Sequence, residues 1–214
     1  MPYKLKTSAR KSRRNKKIAI IATIALIALI GGAVAYYTFG KSSPATTPVV
    51  QGSVVLEVKG WNTTNPEQIG NITILLRDDK PVTSSHFKSL AQQGLYDNTT
   101  FHRVISGFMI QGGHVDGVAQ IPDEIGANNS NVRGTITMAN AGANTAASDF
   151  FINTVDNSGT HRYAGFDTSY TVFGTVTQGM DIVDAISHVP VDDPTSQSPK
   201  PLQDVTIVRA IALP

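Results

Sequence analysis

From Val54 to Leu213 the apolar positions come in short alternating runs, broken by glycine, asparagine and proline, and before them lies one long run without a charge. Val54–Lys59 alternates with period two and predicts a first strand, with Ile72–Arg77 as its partner. The polar Trp61–Gly70 stretch between them is longer than a tight hairpin needs and reads as an enlarged surface loop. Over Pro81–Gly94 the period becomes helical: Thr83 or Ser84 can cap, Phe87, Leu90 and Ala91 make the buried stripe, and Gly94 stops the helix. Phe101–Ile105 alternates again, with Phe101, Arg103 and Ile105 on one face and His102 and Val104 on the other. Ser106-Gly107 bends the chain, Phe108–Gln111 resumes as a strand, and Gly112-Gly113 closes it where a positive φ or a close approach is needed.

His114–Asn131 is loop-like, with Pro122-Asp123-Glu124 as a turn. Gly134–Ala139 and Phe150–Thr154 read as strands around the Asn140–Ser148 loop, Asp156–Thr168 as irregular, and Thr171–Val176 as a strand. Gly179–Ser187 predicts a second helix with Ile182, Val183 and Ile186 inward, and Val205–Leu213 a last strand placed to pair with the first. Many short strands and two helices predict a closed antiparallel barrel, since closure removes exposed edges.

The charge-free run, Ile18–Phe39, holds twenty-two residues, which as a helix span about 33 Å, enough for the ~30 Å apolar layer of a bilayer. Tyr36 and Tyr37 fall near its far interface, and the basic run Lys4–Lys17 before it stays cytoplasmic by the positive-inside rule. The expected organisation is a basic cytoplasmic tail over 1–17, a transmembrane helix or uncleaved signal anchor over 18–39, a linker over 40–52 and one domain over 53–214. A cleaved signal peptide is the alternative, with Ala33-Val34-Ala35 as its A-x-A site. Either reading exports the domain, and the anchor reading makes the membrane a partner through the N-terminal helix. Lys41–Val50, with two prolines among small polar residues, is a semi-extended tether. Sequons at Asn62, Asn71, Asn98 and Asn128 are compatible with an extracytoplasmic face.

Residues 1–40 carry eight of the eighteen Lys and Arg and none of the sixteen acids, so the remainder has a formal charge of −6. The overall +2 therefore hides a basic tail on an acidic domain and gives no reason to expect nucleic-acid binding. The absence of cysteine excludes disulfides and thiol chemistry. The five histidines lack H-x-x-x-H or similar spacing, so no metal site is expected; Gly112-Gly113 lacks the Lys-Ser/Thr of a phosphate loop; Ser148 lacks the G-x-S-x-G setting of a nucleophile.

The segment Phe101–Gly113 places one arginine, one glutamine and large apolar side chains on adjacent strands, the make-up of an apolar pocket with a few polar anchors. Its text, Phe101-His102-Arg103-Val104-Ile105 followed by Gly107-Phe108-Met109-Ile110-Gln111-Gly112-Gly113, resembles the signature of the cyclophilin family of peptidyl-prolyl isomerases. Two later blocks agree: Met138-Ala139-Asn140-Ala141-Gly142 with Asn144-Thr145 and Ser148-Asp149-Phe150-Phe151-Ile152, then Tyr170-Thr171-Val172-Phe173-Gly174. The likeness covers Val54 to Leu213. It implies a mainly β fold, a closed eight-stranded antiparallel barrel capped by two α-helices, here preceded by a single N-terminal transmembrane helix.

The resemblance implies cis–trans isomerisation of X–Pro bonds in extracytoplasmic polypeptides, assisting their folding, with no cofactor, and a monomer is expected. Arg103 is the candidate donor to the prolyl nitrogen and Gln111 the residue that holds the substrate carbonyl. Phe108, Met109 and Phe151 resemble the family's proline pocket, with Phe166 and Tyr170 as wall residues and His102 as a structural or pocket-side hydrogen-bonding group. Ala139 and Asn140 are expected to offer backbone groups to an extended peptide. Alone, such an arginine reads as a surface or salt-bridged residue, such a glutamine as part of a strand's ordinary polar face, and the apolar residues as core.

Two departures stand out. Asp149 occupies a position where many relatives have glutamine, and a carboxylate there is expected to orient Arg103 or to pair with it. Tyr163-Ala164-Gly165 stands where the family's usual tryptophan is found, so cyclosporin-type ligands are expected to bind weakly. A non-catalytic proline-peptide binding module at the cell surface, and a structural protein using the barrel only as a scaffold, are the alternatives.

Overall fold

A computed structural model describes residues 52–159 and 165–214. The expectations placed on the basic tail, the apolar run and most of the linker, and on Tyr163-Ala164, therefore lie outside the described residues. Among the described residues no helix is long and apolar enough to cross a membrane.

In chain order the elements are β1 Ser53–Lys59, β2 Gly70–Leu76, α1 Pro81–Gln92, β3 Arg103–Ile105, β4 Met109–Gly112, β5 Thr135–Met138, β6 Phe150–Asn153, α2 Phe166–Ser169, β7 Val172–Gln178, α3 Met180–Ile186 and β8 Thr206–Ala212. All strand pairs are antiparallel, in the order β3-β4-β6-β5-β7-β2-β1-β8. Period-two alternation sends Val54, Leu56 and Val58 of β1, and Ile72, Ile74 and Leu76 of β2, into one core. In the middle of the sheet β5 and β6 are buried on both faces, because Phe150 and Ile152 point into that core while Phe151 joins a second apolar cluster.

The closed barrel is corrected to an open one. β3 and β8 are the sheet's edges and form no ladder with each other. The chain just ahead of β3 meets the start of β8 over a short stretch, through the Thr100–Thr206 bridge and the bonds Asn98 N–H to Ile207 O (2.7 Å), Ile207 N–H to Thr99 O (2.8 Å) and Phe101 N–H to Val205 O (2.9 Å). β3 is then too short to continue the pairing, and its Val104 N–H is accepted by Pro199 O from a loop (3.0 Å). Edge groups are thus satisfied piecemeal rather than by closure.

α1 carries the expected buried stripe of Phe87, Leu90 and Ala91, with Pro81 in its first turn. Its cap differs from the expectation. Thr83 and Ser84 are buried inside the helix, and no side chain at Lys80 caps it. The Glu124 carboxylate accepts instead from the Val82 N–H (3.1 Å) and from the Thr83 N–H and hydroxyl (2.7 Å each). A distant acid thus satisfies first-turn donors that lack helical partners. At the other end Gly94 (φ 68) and Leu95 donate to Ala91 O and Leu90 O, the two bonds of a Schellman stop.

α3 buries Ile182, Val183 and Ile186 as its pattern predicts. The third helix, α2, falls in a region expected to be irregular; it is a single turn too short to show a period. The alternation expected over Phe101–Ile105 also changes at its start. Phe101 lies ahead of β3 and packs in the main core with Val104, while Ile105 lies against the second cluster. Gly113 combines φ 78 with close approach, its place for a Cβ lying 2.7 Å from Phe150 Cδ1.

Candidate active site

The site is built on a cross-strand row. Register places Arg103 of β3 opposite Gln111 of β4, Gln111 opposite Phe151 of β6, and Phe151 opposite Thr137 of β5. Directly opposed residues share a face, so an arginine, a glutamine and a phenylalanine from three strands become neighbours. Arg103 Nη1 donates to Gln111 Oε1 (3.0 Å) and Arg103 Nε to Gln197 O (2.8 Å), which hold the guanidinium plane between strand and loop. Because arginine can only donate, Gln111 must turn its oxygen to it, and the donor Gln111 can offer elsewhere is Nε2.

Phe108, Met109 and Phe151 form a cluster distinct from the main core, flanked by Ile105, Ala139, Phe166 and Tyr170. Phe166 is set edge-on to Phe108 (centroids 5.5 Å apart) and Phe151 (5.7 Å), and Tyr170 edge-on to Phe151 (5.6 Å). The turn carrying Phe108 is possible because Gly107 sits at φ 65. That turn is held from below: Phe108 O accepts from the Thr154 N–H (3.1 Å) and from Asn157 Nδ2 (2.9 Å). Asn157 is tied to Asn153, and Asn153 to Asn131 and Thr135, in a buried polar network. Asn129 and Asn131 in turn bind Asp167 of α2 and fix the helix that supplies Phe166. Sequence reading missed these supports; the only local signal was asparagine and threonine inside and beside strand-like runs.

Beyond Gln111 lies a cavity of about 320 Å³ lined by Gln111, His114, Ala139, Asn140, Ala141, Thr145, Ala147 and Asp149. Asn140 bonds Ser169 O through Nδ2 (2.8 Å). The Ala139 N–H is bonded to Asp149 O (2.9 Å), so the backbone group Ala139 can offer a peptide is its carbonyl.

Asp149 does not pair with Arg103, which corrects the expected orienting role. Its Oδ1 lies 2.8 Å from His114 Nδ1 and its Oδ2 3.6 Å from His102 Nε2. The physical reason is position along the chain: Asp149 comes two residues, about 7 Å, before Phe151, and it is Phe151 that stands in register with Gln111 and, through it, Arg103. The hydrogen bond and charge of Asp149 raise the His114 pKa above the usual imidazole value. His102, half-buried, is shifted the other way by desolvation, which outweighs the attraction of Asp149. Among the described residues no group of three His, Asp or Glu is placed to hold a metal ion.

A fixed cationic donor and an amide donor above an apolar aromatic slot can bind a flat, weakly polar ring and address a nitrogen or carbonyl beside it. Among the described residues that line the site, none form a paired nucleophile and base.

The family model described as cyclophilin type peptidyl-prolyl cis-trans isomerase/CLD matches residues 62–212. A peptidyl-prolyl cis-trans isomerase of Acinetobacter baylyi is 36% identical over 172 residues, covering 75% of this chain and 91% of its own length. Peptidyl-prolyl cis-trans isomerase B of Escherichia coli is 40% identical over 150 residues, covering 64% and 91%. In fold, the crystal structure of a Cryptosporidium parvum cyclophilin-type isomerase superposes with a TM-score of 0.63 at 25% identity, covering 77% of this chain and 98% of that one.

Proposed function

The chain belongs to the cyclophilin-type peptidyl-prolyl cis–trans isomerase family and is an enzyme of that class, and we propose that Arg103 and Gln111 catalyse X–Pro rotation in polypeptides outside the cytoplasmic membrane. The observation that carries the site assignment is the Arg103–Gln111 pair standing in one row with Phe151.

Rotation about an X–Pro bond crosses a barrier of ~18–20 kcal/mol, the lost resonance of the C–N bond. At the twisted geometry the prolyl nitrogen regains a lone pair that it lacks when planar. A donor already aimed at that nitrogen therefore stabilises the transition state selectively. Arg103 suits this role because its guanidinium is always charged and is held by Gln111 and Gln197 before substrate arrives. Gln111 Nε2 holds the substrate carbonyl, and Phe108, Met109 and Phe151 seat the proline ring. Held at both ends, the peptide is left to turn about a single bond. No proton transfer, nucleophile or cofactor enters the step.

The location is argued from residues 1–40: a basic run followed by twenty-two uncharged residues supports a membrane anchor with the catalytic domain outside. An anchored isomerase would act on chains emerging across the membrane, as a monomer reaching out on its linker. Cis–trans exchange of a short X–Pro peptide, followed by NMR line shape, tests the catalytic assignment. Fast exchange lost in Arg103→Ala supports it, and peptide binding without exchange would favour a docking module. Protease shaving of intact cells tests the location: a domain that resists external protease would overturn export.

A further inference from the structure

The cavity beyond Gln111 carries a charge pattern that amide rotation does not require. Asp149 lines it with one oxygen on His114 (2.8 Å), and Asp116 Oδ1 lies 3.3 Å from the other nitrogen of that ring. Ala139, Ala141 and Ala147 are small, so nothing bulky fills the space beside the carboxylate. Ala139 also touches the Phe108–Met109–Phe151 cluster and so links the proline slot to the cavity. In an extended peptide alternate side chains share a face at a spacing of about 7 Å. With the proline ring in the slot, a residue two positions away therefore projects toward the cavity.

We propose that Asp149 and His114 make this cavity a charge-selective subsite, which prefers a lysine or arginine two residues from the proline while His114 is neutral and loses that preference when His114 is protonated. The proposal rests on the isomerase reading of the neighbouring slot.

With His114 neutral, the Asp149 carboxylate is the local charge, and a cationic side chain meets it in a partly enclosed space where Coulomb attraction exceeds its value in bulk water. Protonated His114 holds that carboxylate in an ion pair, and the cavity no longer discriminates. The raised His114 pKa puts the change above about pH 6.5. The other groups facing the pair do not reproduce this behaviour. His102 is shifted downward and stays neutral there, Tyr96 is shifted far upward by burial, and Asp116 is fully exposed at the rim. Arg103 is bonded to Gln111 and Gln197, and Asp123 is bonded to the Asn140 and Asn144 side of the cavity.

The test uses the full chain and peptides that differ only in Lys, Gln or Glu two residues before or after the proline. NMR exchange gives a Lys:Glu ratio of kcat/KM at about pH 5.5 and about pH 8.5, a range over which the Lys and Glu charges of the peptides stay fixed. At one of the two positions the ratio is expected to reach about tenfold at the higher pH and to fall below about twofold at the lower. Asp149→Asn should bring it near one at both, and His114→Gln should keep it high at both. A wild-type ratio near one at the higher pH, a high ratio that ignores pH, or a pH response surviving in His114→Gln would overturn the proposal. Loss of exchange on the Gln peptides as well would instead overturn the isomerase assignment, so the two failures are distinguishable.

Discussion

Arg103 and Gln111 face each other across β3 and β4, Nη1 to Oε1 at 3.0 Å, and the bond joins the two groups proposed to act on different atoms of one amide. One side chain thereby orients the other before a peptide binds. The pair behaves as a unit, so its members are not expected to contribute additively.

Removing the guanidinium with Arg103→Ala should lower kcat/KM by about 10- to 100-fold, the worth of a charge-assisted hydrogen bond of about 1.5–3 kcal/mol. Arg103→Lys should fall between, since an ammonium cannot keep both the Gln111 and Gln197 bonds in one plane. Exchange NMR reads the rates, and an unchanged urea midpoint shows that the fold survives. Wild-type rates in Arg103→Ala would remove it from the mechanism.

Gly113→Ala should destabilise the fold by more than about 3 kcal/mol. Its φ is 78, and the added carbon would fall 2.7 Å from Phe150 Cδ1 and 2.9 Å from Tyr96 Cε1, rings already packed edge to face. Urea unfolding measures the loss, and a stability equal to wild type would contradict the packing described.

Glu124→Ala should cost about 1–2 kcal/mol by leaving the first-turn N–H groups of α1 without an acceptor. Glu124→Gln retains one acceptor oxygen and should lose about half as much. Thermal melts of the two variants, compared at one pH, decide it.

Stability should respond to the two histidines with opposite signs. The His114 pKa is raised in the folded state, so its contribution is fully present below about pH 6.5 and is lost as pH rises through the folded value. His114→Gln should therefore destabilise more at acidic than at alkaline pH, by less than about 1 kcal/mol because the ring is 62% exposed. The His102 pKa is lowered, so below about pH 6.5 the unfolded chain takes the proton first and stability falls until the folded value is passed. His102→Gln should remove that acid-side loss. Urea midpoints across the pH range that move the same way for both variants would refute the assignment.

Cyclosporin-type ligands should bind no tighter than micromolar, because the family resemblance implies a tryptophan where this chain reads Tyr163-Ala164-Gly165. A calorimetric titration in the nanomolar range would contradict this.

The periods of the strands and of two helices were legible in the chain because alternation, an apolar stripe and a stopping glycine are properties of consecutive residues. The family blocks, and with them the side chains of the site from Arg103 to Tyr170, were legible for the same reason: each block is a short stretch whose text alone carries the likeness. What tertiary structure decided was which of these residues meet. Glu124 caps a helix 41 residues away, Asp149 turns to His114 and His102 instead of Arg103, and Asn157 supports Phe108 from 49 residues off. The barrel stays open because β3 is three residues long and a loop carbonyl meets its edge. The row of Arg103, Gln111 and Phe151 depends likewise on the register between strands, two of them far apart in the chain. A slip of one residue would turn each side chain to the other face, and no local pattern records which register wins.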